Sequence, residues 1–143
     1  MIGSGTGIAP FRSFMQEVEL GAATPSASWL FFGGRKRSSD FLYEEFWTTH
    51  VESGRLRLDM AFSQDQEHKI YVQHRMWEQK SDIWQWINNG AVLLVCGDAK
   101  TMAKDVDGCL GRIIASEGSL SEEAALSRLR ALHREKRYLR DVY

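Results

Sequence analysis

The sequence predicts an α/β domain, a parallel sheet with helices on both faces. Three observations predict it. Short apolar runs alternate with amphipathic helical stretches along the whole chain. The run Leu93-Leu94-Val95-Cys96-Gly97-Asp98-Ala99 stops at a glycine and hands over to a helical pattern from Thr101, as a buried parallel strand does to its crossover helix. The chain has 143 residues, 43% hydrophobic and 26% charged, an ordinary composition for one globular domain with a real core.

The elements follow in order. Met1 and Ile2 lead into a glycine-rich turn, Gly3-x-Gly5-x-Gly7, and a helix is expected from Pro10 to Leu20, with Phe11, Phe14, Met15 and Val18 inward and Gly21 as its stop. Such a turn before a helix exposes backbone N–H groups and suits phosphate, yet its spacing is neither the Rossmann nor the Walker fingerprint, and on spacing alone a plain tight turn is the better reading. Ala22–Ser28, with Pro25, reads as a loop. Trp29-Leu30-Phe31-Phe32 reads as a strand ended by Gly33-Gly34. Arg35-Lys36-Arg37 is then either a phosphate site or a solvated loop. A helix is expected from Phe41 to Val51, started by Ser38-Ser39-Asp40. Leu56–Phe62 alternates as a strand, 63–69 is polar loop, and 70–88 is mostly helix with an interruption near Lys80. Trp77, Trp84 and Trp86 read as packing residues. Ala91–Cys96 is expected to be the central strand. A helix from Thr101 to Ser116 turns Met102, Val106, Cys109, Leu110, Ile113 and Ile114 inward. Ser119-Leu120-Ser121-Glu122 has a capping-box pattern for a last helix running to Lys136, with Leu120, Ala125, Leu129 and Leu132 to pack. Arg137–Tyr143 is not helical in pattern, and its terminal aromatic argues that it docks.

Net charge is −1, which gives no broad basic field for nucleic acid or a membrane surface. No apolar run reaches membrane-spanning length, and the start lacks a signal-peptide pattern. Cys96 and Cys109 read as free thiols, so a cytoplasmic setting is expected. His50, His68, His74 and His133 lack metal-ligand spacing and read as surface or locally hydrogen-bonded residues; no metal site is expected. In open α/β sheets ligands bind at the carboxyl ends of the strands, which is where the thiol of Cys96 and the carboxylate of Asp98 fall.

The order of motifs goes further than pattern. Gly3-Ser4-Gly5-Thr6-Gly7-Ile8-Ala9-Pro10-Phe11, then Phe32-Gly33 with Asp40-Phe41-Leu42-Tyr43, then Lys69-Ile70-Tyr71-Val72-Gln73, then Cys96-Gly97-Asp98-Ala99, then Arg137-Tyr138 with Asp141-Val142-Tyr143, resembles the NADPH-binding domain of diflavin reductases, in the ferredoxin–NADP reductase superfamily. Met102–Val106 and the final Arg140-Asp141-Val142-Tyr143 look most like the flavoprotein branch that serves bacterial sulfite reduction. The resemblance covers essentially residues 1–143. It implies a Rossmann-like, ferredoxin reductase-type NADP-binding domain with a truncated first strand.

The resemblance also implies roles. Gly5 and Thr6 would hold the pyrophosphate of NADPH. Ser63, Lys69 and Tyr71 would surround the adenosine 2′-phosphate, with Gln73 nearby and Arg35 adding a charge. Cys96, with Gly97 and Asp98, would lie on the nicotinamide side; Asp141 would position the nicotinamide, and Tyr143 would stack on the ring of FAD. Hydride would pass from NADPH to FAD, then electrons through FMN to a haemoprotein such as a sulfite reductase. The redox step would belong to the cofactors, and the residues would orient them.

Two departures from the family pattern stand out. Arginine usually follows the serine of the 2′-phosphate site, whereas Gln64 follows Ser63 here, so a weakened preference for NADPH over NADH is expected. The FAD and FMN domains that should precede this segment are absent. A domain cut from a longer protein, a mis-called start at Met1 or a remnant would each explain that, and the fragment would not turn over alone. The alternatives to a reductase part are a stand-alone dinucleotide-binding module without turnover, a reductase domain for another haem acceptor, or a bare α/β scaffold.

Overall fold

A computed structural model of the chain describes residues 1–22 and 27–143. The loop expected around Pro25 lies largely outside the described residues. Five strands, β1 (Ile2–Ser4), β2 (Trp29–Gly34), β3 (Arg57–Phe62), β4 (Leu93–Gly97) and β5 (Tyr138–Val142), form one parallel sheet in the order β3-β2-β1-β4-β5. A 3-10 turn, Gly5–Ile8, leads from β1 into α1 (Ala9–Glu19). The remaining helices are α2 (Arg37–Asp40), α3 (Glu44–Glu52), α4 (Val72–Glu78), α5 (Lys80–Asn88), α6 (Met102–Gly118) and α7 (Glu122–Arg134).

The expected fold class is the observed one. Each face of the sheet carries its own apolar cluster. Phe11 and Met15 of α1 and Trp47 of α3 pack with Leu30, Phe32 and Phe62 on one side. Met76, Ile83, Ile87, Leu110, Ile113, Ile114 and Leu132 of α4–α7 pack with Ile2, Phe31 and Val95 on the other. A fully buried aliphatic side chain contributes about 1.5–3 kcal/mol, so these rows, rather than helix propensity, hold the helices down.

The centre of the sheet is not where the sequence suggests. β4 was the expected central strand, being the longest apolar run. The central strand is β1, with Ile2 opposite both Phe31 and Val95 and Gly3 opposite both Phe32 and Cys96. Three residues show no period, so pattern reading gives them little weight.

The helix expected over 41–51 starts at Glu44 as α3, and the residues expected to start it form a separate short helix, α2. Asp40 ends α2, and Phe41 drops into the core with its ring centroid 5.0 Å from Phe32 and 5.9 Å from Phe62. The chain then turns through Tyr43 in a left-handed conformation (φ 60°), and Trp47 Nε1 donates to the freed carbonyl of Leu42 at 2.9 Å. The break in the 70–88 stretch falls at Gln79, one residue before the expected place. Trp84 and Trp86 pack against the core, but Trp77 lies half-exposed under the cations of Lys80 and Arg112. His50 is buried, with Nδ1 2.8 Å from the Phe46 carbonyl oxygen.

The cap of α7 also shifts. Ser119 in the capping-box pattern is the left-handed C-cap of α6 (φ 51°), and Ser121 is the N-cap, accepting the Ala124 N–H at 3.2 Å. Leu120, expected to pack, is partly exposed in the resulting turn. Ser121→Ala should therefore cost about 1 kcal/mol, whereas Ser119→Gly should stabilise by up to about 1 kcal/mol by relieving left-handed strain. Urea unfolding of the two variants checks both signs.

Candidate functional site

After β1 the chain moves outward to β2 and β3, then returns past β1 to β4 and β5. Connections from β1 and β4 therefore leave in opposite directions, which opens a crevice at their carboxyl ends. Two loops form it: the 3-10 turn after β1, and Asp98–Thr101 after β4.

The turn after β1 is fixed by close approach. A Cβ on Gly7 would stand 2.4 Å from the Cys96 carbonyl oxygen and 3.0 Å from the Gly97 Cα, so only glycine lets the turn lie on β4. Gly5 has a positive φ of 54°, and a Cβ there would meet nothing within 4 Å, so open space lies above it. Among the described residues no side chain caps the 3-10 turn or α1. The positive end of an eleven-residue helix thus faces the crevice beside Gly5 and Thr6 without a carboxylate of its own.

The other helix start is already occupied. Asp98 Oδ2 accepts the Thr101 N–H at 2.6 Å, the Thr101 hydroxyl and, at 3.4 Å, the Met102 N–H. The Thr101 hydroxyl, followed by the backbone N–H groups, holds its pKa down at about 2. Asp98 is therefore the cap of α6. The start of α6 thus carries its own carboxylate and the start of α1 does not.

Cys96 and Asp141 face each other across β4 and β5 in register. The thiol is buried, and burial first, then the Asp141 carboxylate, push its pKa up, so it stands protonated at neutral pH. Tyr143 is pinned through its backbone, its N–H donating to Gly97 O at 3.2 Å and its carbonyl accepting the Ala99 N–H at 2.9 Å. Its exposed ring reaches over the crevice, with the hydroxyl 3.1 Å from Thr6 Oγ1. Thr6, Gly97, Asp98 and Tyr143 thus gather around one opening with Gly5, and Cys96 lies in its floor.

A second group lies at the ends of β2 and β3. Ser63 donates its N–H to Gly34 O at 3.0 Å, and Gln64 its N–H to Arg35 O at 2.8 Å, which sets Arg35 beside Ser63 and Gln64. Lys69 and Tyr71 follow on the approach to α4, both exposed. The start of α4 abuts β2, with Val72 Cγ1 2.9 Å from where a Gly33 Cβ would stand. Gln73 is turned away, its side-chain amide donating to Asp105 on α6 at 3.1 Å.

Sequence reading passed over Lys100 and Asp65 here, and its reading of His74 as surface or locally hydrogen-bonded fits the bond it makes. Lys100 is an exposed cation on the turn after Asp98. His74 Nδ1 accepts the Tyr71 N–H at 2.9 Å and closes the first turn of α4. Asp65 Oδ2 accepts the Arg37 N–H at 3.0 Å. A cation two residues after Cys96-Gly97-Asp98 was a usable signal for Lys100; nothing in spacing marks Asp65. An apolar cavity of about 770 Å³ opens at the opposite end of the strands, between Met1, Trp29, Trp86 and Leu93. Among the described residues its lining carries no lysine or arginine side chain.

The chain matches the family model described as oxidoreductase NAD-binding domain over residues 1–108. It is 52% identical over a 144-residue alignment to the sulfite reductase [NADPH] flavoprotein alpha-component of Cronobacter sakazakii, covering 100% of this chain and 24% of that protein. Its identity to the proteins of the same name from Shewanella oneidensis and Vibrio cholerae is 51%, covering 100% of this chain and 24% and 23% of those proteins. The chain spans about a quarter of the length of the curated relatives it matches.

The Asp98 cap carries a pH signature. Its folded pKa lies below the ordinary carboxylate value of about 3.9, so its contribution to stability is complete above that value and is lost as pH falls toward about 2. In Asp98→Asn the unfolding midpoint should fall less steeply between pH 4 and pH 2 than in the wild type. Thermal unfolding across that range checks it; an unchanged acid limb would remove Asp98 as the cap.

Proposed function

Because this chain belongs to the oxidoreductase NAD-binding domain family, we propose that it is the NADPH-binding domain of a cytoplasmic flavoprotein reductase. Its partners are an FAD domain and an FMN domain, of the same or a neighbouring chain, and a haemoprotein acceptor of the sulfite reductase type. The observation that carries this is the uncapped start of α1 beside the open space at Gly5, in the same crevice as Cys96, Asp141 and Tyr143. No described helix is long and apolar enough to cross a membrane.

The fit is chemical. A pyrophosphate needs backbone N–H donors and a positive field, which the turn from Gly5 to Ile8 and the α1 dipole supply. Lys100, on the facing loop, adds a mobile cation. When bound, NADPH supplies the hydride, and FAD on the adjoining domain receives it. The residues of this chain bind and orient. Cys96, protonated, presents a small neutral surface in the floor rather than a charge. Asp141, opposite it, steadies the positive charge that develops on the nicotinamide ring as hydride leaves. Tyr143 covers the opening until it gives way, and its ring offers an aromatic face to the flavin. Ser63, Lys69, Tyr71 and Arg35 take the 2′-phosphate from the ends of β2 and β3, while Gln64 adds a neutral donor. Gln73 contributes only after leaving Asp105.

Calorimetric titration of the 143-residue chain tests the reading: NADP⁺ should bind, and bind tighter than NAD⁺. A folded sample that binds neither would sink it. A charge-assisted hydrogen bond contributes about 1.5–3 kcal/mol, and about 1.4 kcal/mol is tenfold in affinity. Gln64→Arg should therefore widen the NADP⁺/NAD⁺ affinity ratio by roughly tenfold or more, with NAD⁺ affinity unmoved.

A further inference from the structure

Arg35-Lys36-Arg37 reads from sequence as either a phosphate site or a solvated loop, and the structure divides the three. Arg37 is committed to the fold: its guanidinium bonds Glu44 at 2.7 Å and lies 5.3 Å from the centroid of Phe41, and its N–H goes to Asp65. Arg35 is three-quarters exposed, and among the described residues its guanidinium has only a long, 3.6 Å contact to Asp40.

Its backbone, by contrast, is held from both sides. Asp40 Oδ2 accepts the N–H groups of Arg35 and Lys36, each at 3.0 Å, and the Arg35 carbonyl accepts the Gln64 N–H at 2.8 Å. β2 and β3 end at Gly34 and Phe62. Their hydrogen bonding nevertheless runs on past those ends, through Ser63 N–H to Gly34 O and Gln64 N–H to Arg35 O. Asp65 closes the far end by accepting the Arg37 N–H. Gln66 folds the rest of the loop back, donating to Phe62 O at 2.7 Å and His68 O at 2.8 Å. The two turns are one platform, and an exposed guanidinium stands on it beside an uncharged Gln64.

We propose that Asp65 is a positioning residue for cofactor selectivity: it fastens the Arg35–Arg37 turn to the Gln64 turn, so that Arg35 supplies from β2 the positive charge that Gln64 does not supply from β3. The proposal rests on the reading of this platform as the 2′-phosphate site. Without the Asp65 bond, the turn keeps its Asp40 anchor and the Gln64 N–H to Arg35 O bond but is released at its Arg37 end, and the Arg35 guanidinium is spread over more positions. The loss falls on the phosphate alone, because NAD⁺ has no group for Arg35 to hold.

The test is the NADP⁺/NAD⁺ affinity ratio measured by calorimetry on the 143-residue chain. Arg35→Ala should lower the ratio about tenfold, the scale of one charge-assisted hydrogen bond. Asp65→Ala should lower it severalfold, and Asp65→Asn, which keeps an acceptor oxygen, should return it to near the wild-type value. In Arg35→Ala/Asp65→Ala the ratio should equal that of Arg35→Ala alone, since the two act through one contact. If Asp65→Ala fails to fold, Asp65→Ser, with an oxygen too short to reach the Arg37 amide, reads the same ratio. Parallel loss of both affinities, or multiplicative effects in the double variant, would overturn the proposal. Lys69→Ala separates the two levels. A ratio unmoved by Lys69→Ala, or no NADP⁺ binding at all, overturns the phosphate-site reading and this inference with it. A ratio lowered by Lys69→Ala but not by Asp65→Ala overturns the inference alone.

Discussion

Everything in this fold hangs on one three-residue strand, of which Ile2 and Gly3 are paired on both sides and Ser4 with Gly33 alone. Ile2, Gly3 and Ser4 form the central strand, with β2 on one flank and β4 on the other. A strand that short is stable only because its neighbours complete its hydrogen bonding and Ile2 is buried beneath α4–α7. Its position decides where the chain next goes. Since β2 lies to one side and β4 to the other, the loops leaving β1 and β4 part from each other, and the crevice is a consequence of topology. The close seat of Gly7 on the Cys96–Gly97 backbone then fixes the depth of that crevice.

Charge is arranged around this opening by a shared device. Asp40, Asp65 and Asp98 each take backbone N–H groups of a neighbouring turn. A carboxylate used this way is neutralised locally by the dipoles it accepts. For Asp40, the Lys36 N–H is the largest cause of its lowered pKa. The carboxylates at the ends of the strands thus shape turns, while the exposed Arg35, Lys36, Lys69 and Lys100 remain to face an anion. A chain of net charge −1 can in this way present a positive face where phosphates would lie.

The last strand does comparable work on the Cys96 side of the crevice. Tyr138 is buried, its hydroxyl donating to Asp107 of α6, and Arg140 holds the other oxygen of that carboxylate at 2.8 Å. Burial, then Asp107, raise the Tyr138 pKa, so the phenol stays a donor. Arg137 bonds the carbonyls of Ile87 and Ala91 and secures the entry to the strand. These ties set β5 in register with β4, which puts Asp141 opposite Cys96 and brings Tyr143 to Thr6 across the opening. An edge strand becomes a rigid arm for its terminal aromatic.

The sequence by itself determined the fold class and the place and apolar face of α1 and α6. Those properties are written in local period and in residue type, as in Met102, Val106, Leu110 and Ile113 along one stripe of α6. It did not determine which strand is central, because Ile2–Ser4 has no period and its place is set by partners from Phe31 and Val95. Nor did it determine that Phe41 would break a helix to enter the core, that Ser121 rather than Ser119 would cap α7, or that Gln73 would turn to Asp105. Each of those is a choice between two local options that differ little in energy. The contact that decides it comes from residues distant in sequence and near in space, so only the tertiary structure could decide it.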